Sequence, residues 1–397
     1  MKTISILSRV ATAALATGGI LLPALTSCSN MNRKAEYEIV VEYSDSRCGE
    51  QFDSLFLYSH HIVPQTTEES LLGKINKVFL AEDRIYIMDD NSRVAVFDKE
   101  GGYIRSYSHR GNGRGEYPSL YDFDIYNDTL YLMAGTAIHK YTLDDRFAGT
   151  INLRNASRGM AVIPAGISLN NGFGVGNSST ADDYSYSFLK PDGEMINEIP
   201  FNPALRGFVF TFNYQVSAFS KGGDKLLTYF PYDETVYRVD YRTGNLIPHV
   251  DIRMGERDID KDSSQEDVER ILSSDQPNTF YAMYEWEDRI SFSYSYGSPV
   301  CVVATLEGEI LMNGIIGTDG NGIPVSLYGM ETESPTKDIL SIVSAPLVKM
   351  IASKKDDLSK YPTLKEISES IDDESNPVLI FYTPKWILSK ESGIKTQ

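Results

Sequence analysis

The chain has 397 residues, with 55 acidic and 37 basic side chains and a formal net charge of -18 at pH 7. A field of that sign repels phosphate backbones and anionic lipid surfaces, which argues against nucleic acid as a partner and against membrane attachment through a basic face. Hydrophobic residues make up 42% of the chain and cysteines number only three, so the composition suits a large packed core rather than a disulfide-stapled scaffold.

Residues 1–27 carry Lys2 and Arg9, an apolar stretch through Leu15 and Ile20-Leu21-Leu22, and then Leu25-Thr26-Ser27-Cys28. This is the layout of an export signal. Gly18, Gly19 and Pro23 interrupt an apolar run already shorter than the ~20 residues a spanning helix needs. Leu, small residues and Cys in register resemble the lipobox of bacterial lipoproteins, which implies cleavage before Cys28 and acyl chains on its thiol. Loss of residues 1–27 removes two positive charges and no negative ones, taking the net charge to -20. Residues 28–36 read as a polar tether. No acidic cluster follows Cys28, which points to an outer-membrane lipoprotein facing the periplasm.

From residue 37 onward short β-branched and aromatic runs alternate with turns. Ile85–Asp89 and Arg93–Asp98 flank Asp90-Asn91-Ser92, and comparable units recur. The residues that end the third run of each unit are Phe97, Tyr141, Phe188, Tyr237 and Val303, spaced by 44, 47, 49 and 66 positions. Turns fall after them at Asp98–Gly102, Leu143–Asp145, Pro191–Gly193, Tyr241–Gly244 and Leu306–Gly308. A period in the forties without helical patterning predicts one four-stranded antiparallel sheet per repeat, each burying what its neighbour leaves bare.

The last repeat is irregular. Asp338–Val343 reads as a strand, residues 346–372 as two helices broken at Tyr361-Pro362 with Thr363 as a cap, and Pro377–Tyr382 as a final strand. One strand is then missing, and the run Tyr37–Glu42 is expected to supply it and close the ring. The fold class that follows is all-β, a six-bladed β-propeller over residues 37–385 closed by an N-terminal strand, with small helical insertions and a C-terminal tail at 386–397.

Arg93-Val94-Ala95-Val96-Phe97-Asp98 with Gly101 or Gly102, the loop Gly111-Asn112-Gly113-Arg114-Gly115-Glu116-Tyr117, and Asn376-Pro377-Val378-Leu379 carry a resemblance. Residues 71–153 look like NHL-type repeats, and the wider chain resembles the 6-bladed β-propeller lipoproteins of Gram-negative gut anaerobes, although that family usually has Pro where Arg114 stands. The resemblance implies architecture more than activity, because binders and enzymes share the fold.

Three constellations invite chemistry. The Gly111–Tyr117 loop lacks the third glycine and the following helix of a dinucleotide cradle; it reads as a tight inter-blade loop, or as one presenting Arg110, Arg114, Glu116 and Tyr117 at the mouth of the central channel to a peptide, a glycan or a partner protein. Asp122 and Asp124 share one face of a strand and are candidate metal ligands in the channel, against a reading in which they flank a strand end and face solvent. Asp258, Asp260, Asp262 and Glu269 match four positions of a calcium loop but lack its central glycine; the alternative is a solvated insertion in which Ser263 or Ser264 caps a short helix. Cys48 and Cys301 are far apart in sequence and read as separate thiols, and His60-His61 point to opposite faces of a strand. No Gly-x-Ser-x-Gly or His-Glu-x-x-His motif occurs. The function expected is a lipid-anchored envelope module that binds or scaffolds, with a metal-dependent hydrolase or lyase in the channel as the alternative; converging inward carboxylates would favour the enzyme.

Overall fold

The computed structural model describes residues 34–171, 184–200, 203–205, 218–255, 258–259, 262–274, 277, 280–335 and 337–391. Residues 1–27, Cys28 and Asp260 lie outside them.

Four antiparallel sheets contain four strands each. Two are simple meanders, Asp122–Tyr126, Thr129–Met133, Ala137–Thr142, Phe147–Asn152 and then Gly159–Ile163, Gly166–Asn170, Tyr184–Leu189, Met195–Pro200; a third runs Tyr281–Glu285, Arg289–Tyr296, Ser298–Thr305, Ile310–Gly314. A ten-stranded sheet holds two more such meanders, one over residues 75–107 and one over residues 219–253, joined by the three-residue strand Met330–Thr332. All five residues used above to set the repeat lie on the third strand of a meander. The hairpins turn where the sequence says they must: Gly101, Gly193, Gly244 and Gly308 all sit at positive φ, a conformation that a Cβ disfavours.

The first strands of successive meanders pack on one another, 122–126 on 159–163, 159–163 on 219–222, and 219–222 on 281–285. The hydroxyl of Tyr328, on the first strand of the last sheet, donates to the carbonyl of Ile75 and closes the circuit. Sheets arranged face to face around a common axis make the molecule an all-β propeller with small helical content.

The closing strand is not the one the sequence suggested. Tyr37–Val40 pairs in parallel with Leu246–Arg253, and Phe56–Ile62 is the strand that pairs antiparallel with Val378–Pro384. Phe56–Ile62 lies closer in sequence to Ile75, where the next meander begins, so it can close the ring through a short connection. The earlier run instead covers a sheet edge that would otherwise be bare, burying Ile39 and Val41. Between them the helix Gly49–Leu55 turns the chain and packs Phe52 against Phe56 and Tyr382 at ring separations of 5.0 Å.

Helices Ala345–Ser353 and Pro362–Ser370 form as expected, but Thr363 is no cap. Pro362 occupies the first helical position, where its missing N–H costs nothing. The helix Lys385–Glu391 continues the packed structure past residue 385, with the Trp386 ring 5.3 Å from that of Trp286 and under the Arg289 guanidinium at 4.6 Å.

Candidate functional site

A short strand crosses the inner side of the ring. Met330–Thr332 runs parallel to Val78–Leu80 on one side, and Thr332 bridges to Gly222 on the other, so one short strand spans the first strands of two meanders. It brings Glu331, 2% exposed, into a buried charge network. Lys77 Nζ lies 2.8 Å from both Asp122 Oδ1 and Glu331 Oε1, and Lys221 Nζ donates to both oxygens of Asp124 at 2.9 and 2.7 Å and to the Val162 carbonyl at 3.0 Å. The two aspartates also accept the backbone N–H groups of Met160 (2.7 Å) and Val162 (2.6 Å) on the neighbouring first strand. They therefore do the work of ladder hydrogen bonds between strands that diverge around an axis.

Asp122 and Asp124 do not face solvent, and the oxygens that a metal would need are engaged by ammonium and amide groups. Among the described residues no group of three or more His, Cys, Asp or Glu is placed to hold a metal ion. Burial pushes the Glu331 carboxyl up to about 7, opposed by Lys77 and reinforced by the charges of Asp124 and Asp122. Asp122 is likewise raised by burial against the pull of Lys77. Burial alone would lower Lys77, but Asp122 and Glu331 outweigh it and hold the ammonium charged.

The Gly111–Tyr117 loop packs on the outer strands of the neighbouring sheet. Tyr117 is fully buried and its hydroxyl donates to the Tyr107 carbonyl at 3.5 Å. Arg110 is exposed and forms an isolated bridge with Tyr117. The Arg114 guanidinium sits 5.5 Å from the centre of the Phe147 ring, and Glu116 accepts from the Gly113 N–H at 2.8 Å. Gly115, at φ +83°, gives its carbonyl to the Tyr141 hydroxyl at 2.7 Å. Tyr141 and Phe147 belong to the third and fourth strands of the next meander, away from the axis, so the loop clasps neighbouring sheets. Ser264 Oγ accepts from the Asp267 N–H at 3.1 Å and caps the helix Gln265–Leu272. Asp258, Asp262 and Glu269 are exposed, and Glu269 Oε1 accepts from Gln265 Nε2 at 2.9 Å.

The concave surface lies elsewhere. Gly49–Leu55, the segment 316–326 and the helix Ala345–Ser353 enclose a cleft of about 740 Å³. Its wall is apolar at Ile316, Val325, Leu347 and Ile351, and its polar side chains are Arg47, Glu50, Gln51, Thr318 and Ser326. Ile316, Gly317, Val325 and Ser326 also line an inner chamber of about 240 Å³ that ends at Tyr281, Cys301, Tyr328 and Gly329, next to the start of the axial strand. Gly317 sits at φ +76° with the Arg47 Nη1 against it, 3.0 Å from where a Cβ would be. A larger residue there would strain the backbone at this φ and crowd the guanidinium. Burial pushes the Cys48 thiol up to about 11 and that of Cys301, in the chamber wall, to about 12. Both are thiols rather than thiolates at neutral pH and offer no nucleophile. His60 stacks on Phe381 at 4.5 Å while His61 Nδ1 bonds the Tyr58 hydroxyl at 2.7 Å, so the pair is divided as expected.

Sequence reasoning missed this cleft because its walls come from an N-terminal segment, an inter-sheet connection and a helix that no local pattern links. The available signal was the apolar set Leu347, Met350 and Ile351, which lies outside the face the helix buries through Ala345, Val348 and Ala352.

Residues 59–383 match the model of a family described as a domain of unknown function, DUF4934. The chain belongs to this family. No curated protein matches it. Among solved structures, a "putative exported protein" from Bacteroides fragilis NCTC 9343 superimposes with a TM-score of 0.67 at 18% identity, covering 87% of this chain and 99% of the other. The WD40 domain of Neurospora crassa Pan2 aligns with a TM-score of 0.40 at 10% identity, covering 77% and 82% of the two chains. The first likeness concerns the fold.

Proposed function

We propose that this DUF4934 chain is a six-bladed propeller, exported and lipid-anchored through Cys28 at the outer membrane, that binds a segment of a partner protein in the cleft beside its axis. Six blades follow if the ten-stranded sheet is counted as two meanders joined by Met330–Thr332. The observation that carries the binding reading is the cleft of about 740 Å³, whose apolar wall and single arginine suit an extended segment with an apolar side chain and a carboxylate. The inner chamber would take the apolar side chain.

A photo-crosslinking residue at Ile351 in the full mature chain, in intact envelopes, tests this. A discrete adduct at Ile351 that is absent when the same residue replaces exposed Ile104, and that weakens in Arg47→Ala, is the expected result. No adduct, or equal adducts at both positions, overturns the reading. Cys28→Ser should release the protein from membranes; continued retention overturns the anchor.

A further inference from the structure

A separate hollow of about 370 Å³ opens between the last strand of the 122–152 sheet and the outer strands of the 159–200 sheet. Asn152, Arg154, Asn155, Asn171, Tyr184 and Glu198 give it a polar lining over an apolar floor that includes Leu169 and Met195. The Arg154 guanidinium lies 5.7 Å from the centre of the Tyr184 ring and pairs with the Glu198 carboxylate. Glu198 Oε1 is 3.7 Å from Arg154 Nη1, beyond hydrogen-bond distance.

Two buried acceptors in this lining lack donors. Asn171 is 5% exposed and its Oδ1 accepts no hydrogen bond among the described residues; the same holds for Glu198 Oε1. Buried acceptors of that kind cost free energy unless something supplies protons to them. A carboxylate at this position repels anions, which the overall charge of -18 also does. The lining therefore calls for a neutral group that both donates and accepts hydrogen bonds and has an apolar face for the floor and the Tyr184 ring. A sugar ring has all three properties.

We propose that this hollow binds one or two rings of a neutral saccharide, with Asn171 and Glu198 accepting from its hydroxyls and Arg154 donating to them. The site is independent of the cleft assigned above. Its volume sits near the lower end of the range for small-molecule sites, about 300–1,000 Å³, which limits it to a terminal unit of a longer glycan.

The test is an immobilised panel of neutral and uronic-acid oligosaccharides probed with the full mature chain in detergent, followed by calorimetric titration of the best binder. Binding to at least one neutral series is expected, with affinity falling on the order of tenfold in Asn171→Ala, in Glu198→Ala and in Tyr184→Ala, and unchanged in Arg47→Ala. Arg154 is 54% exposed on its side chain, so Arg154→Gln folds normally and should weaken binding even if a buried substitution disturbs the sheet. No binding across the panel, binding of acidic sugars alone, or affinity that survives Arg154→Gln and Tyr184→Ala overturns the proposal.

Discussion

The axis and the cleft are built from opposite materials. At the axis, two lysines and three carboxylates lie 6% exposed or less and close upon one another across four strands; in the cleft, Arg47, Glu50 and Gln51 stand exposed against an apolar wall. Charge in the first region is structural, because removing any member strands another in a medium that will not solvate it. Charge in the second can be removed without stranding anything. The difference shows why inward-facing carboxylates in a propeller are poor evidence of catalysis until their partners are known.

The sharpest way to break the comparison is at Asp124. Asp124→Ala leaves the Lys221 ammonium buried with one carbonyl acceptor and frees the Val162 N–H, and should cost about 3–5 kcal/mol in chemical unfolding. A loss below 1 kcal/mol would mean that the network is dispensable. Of similar or slightly smaller size is Phe56→Ala, about 3–4 kcal/mol, since Phe56 is 3% exposed and anchors the closing strand against Trp386 at 5.4 Å. A near-neutral result would show that the ring does not depend on that strand.

Glu331 gives a pH test with a definite sign. Its carboxyl is raised from an ordinary 4.5 to about 7 on folding, so the native state holds this proton more tightly than the unfolded chain. The stability this group contributes is fully present below about 4.5 and is lost as pH rises through about 7. Glu331→Gln fixes the protonated shape, so its stability relative to the parent should increase from pH 5 to pH 8. A difference that is flat with pH, or falls, would sink the assignment of a proton to this strand.

How much of this was legible in the sequence follows from where the signals are local. The third strands at Phe97, Tyr141, Phe188, Tyr237 and Val303 could be found because alternation and an Asp- or Gly-bearing turn sit side by side in each. Met330–Thr332 could not, because three residues carry no period and its pairing partners are some 250 and 110 positions away. A signal was nevertheless present. Lys77 interrupts the strand Ile75–Leu80, and a lysine at 5% exposure demands a carboxylate. The same logic would have moved Asp122 and Asp124 from metal ligands to ion-pair partners. The loop at Arg114 left two readings open because glycines, arginine and tyrosine look alike in a ligand loop and in an inter-sheet clasp; its contacts with Phe147 and Tyr141 are those of the clasp.

The smallest effect on stability, and the one that completes the contrast, is expected at Arg47. The side chain is exposed and Arg47 is tied to the fold mainly through its backbone bridge with Ile315, so Arg47→Ala should change unfolding free energy by no more than about 0.5 kcal/mol. If the cleft is a recognition surface, the same change should weaken capture of the partner by roughly tenfold or more, as loss of a guanidinium fork to a carboxylate does. Measuring both in one preparation separates the two kinds of charge in this molecule: a residue that holds the fold changes stability first, and a residue that holds a ligand changes affinity alone. A large stability loss at Arg47 with no change in capture would make the cleft a structural seam like the axis.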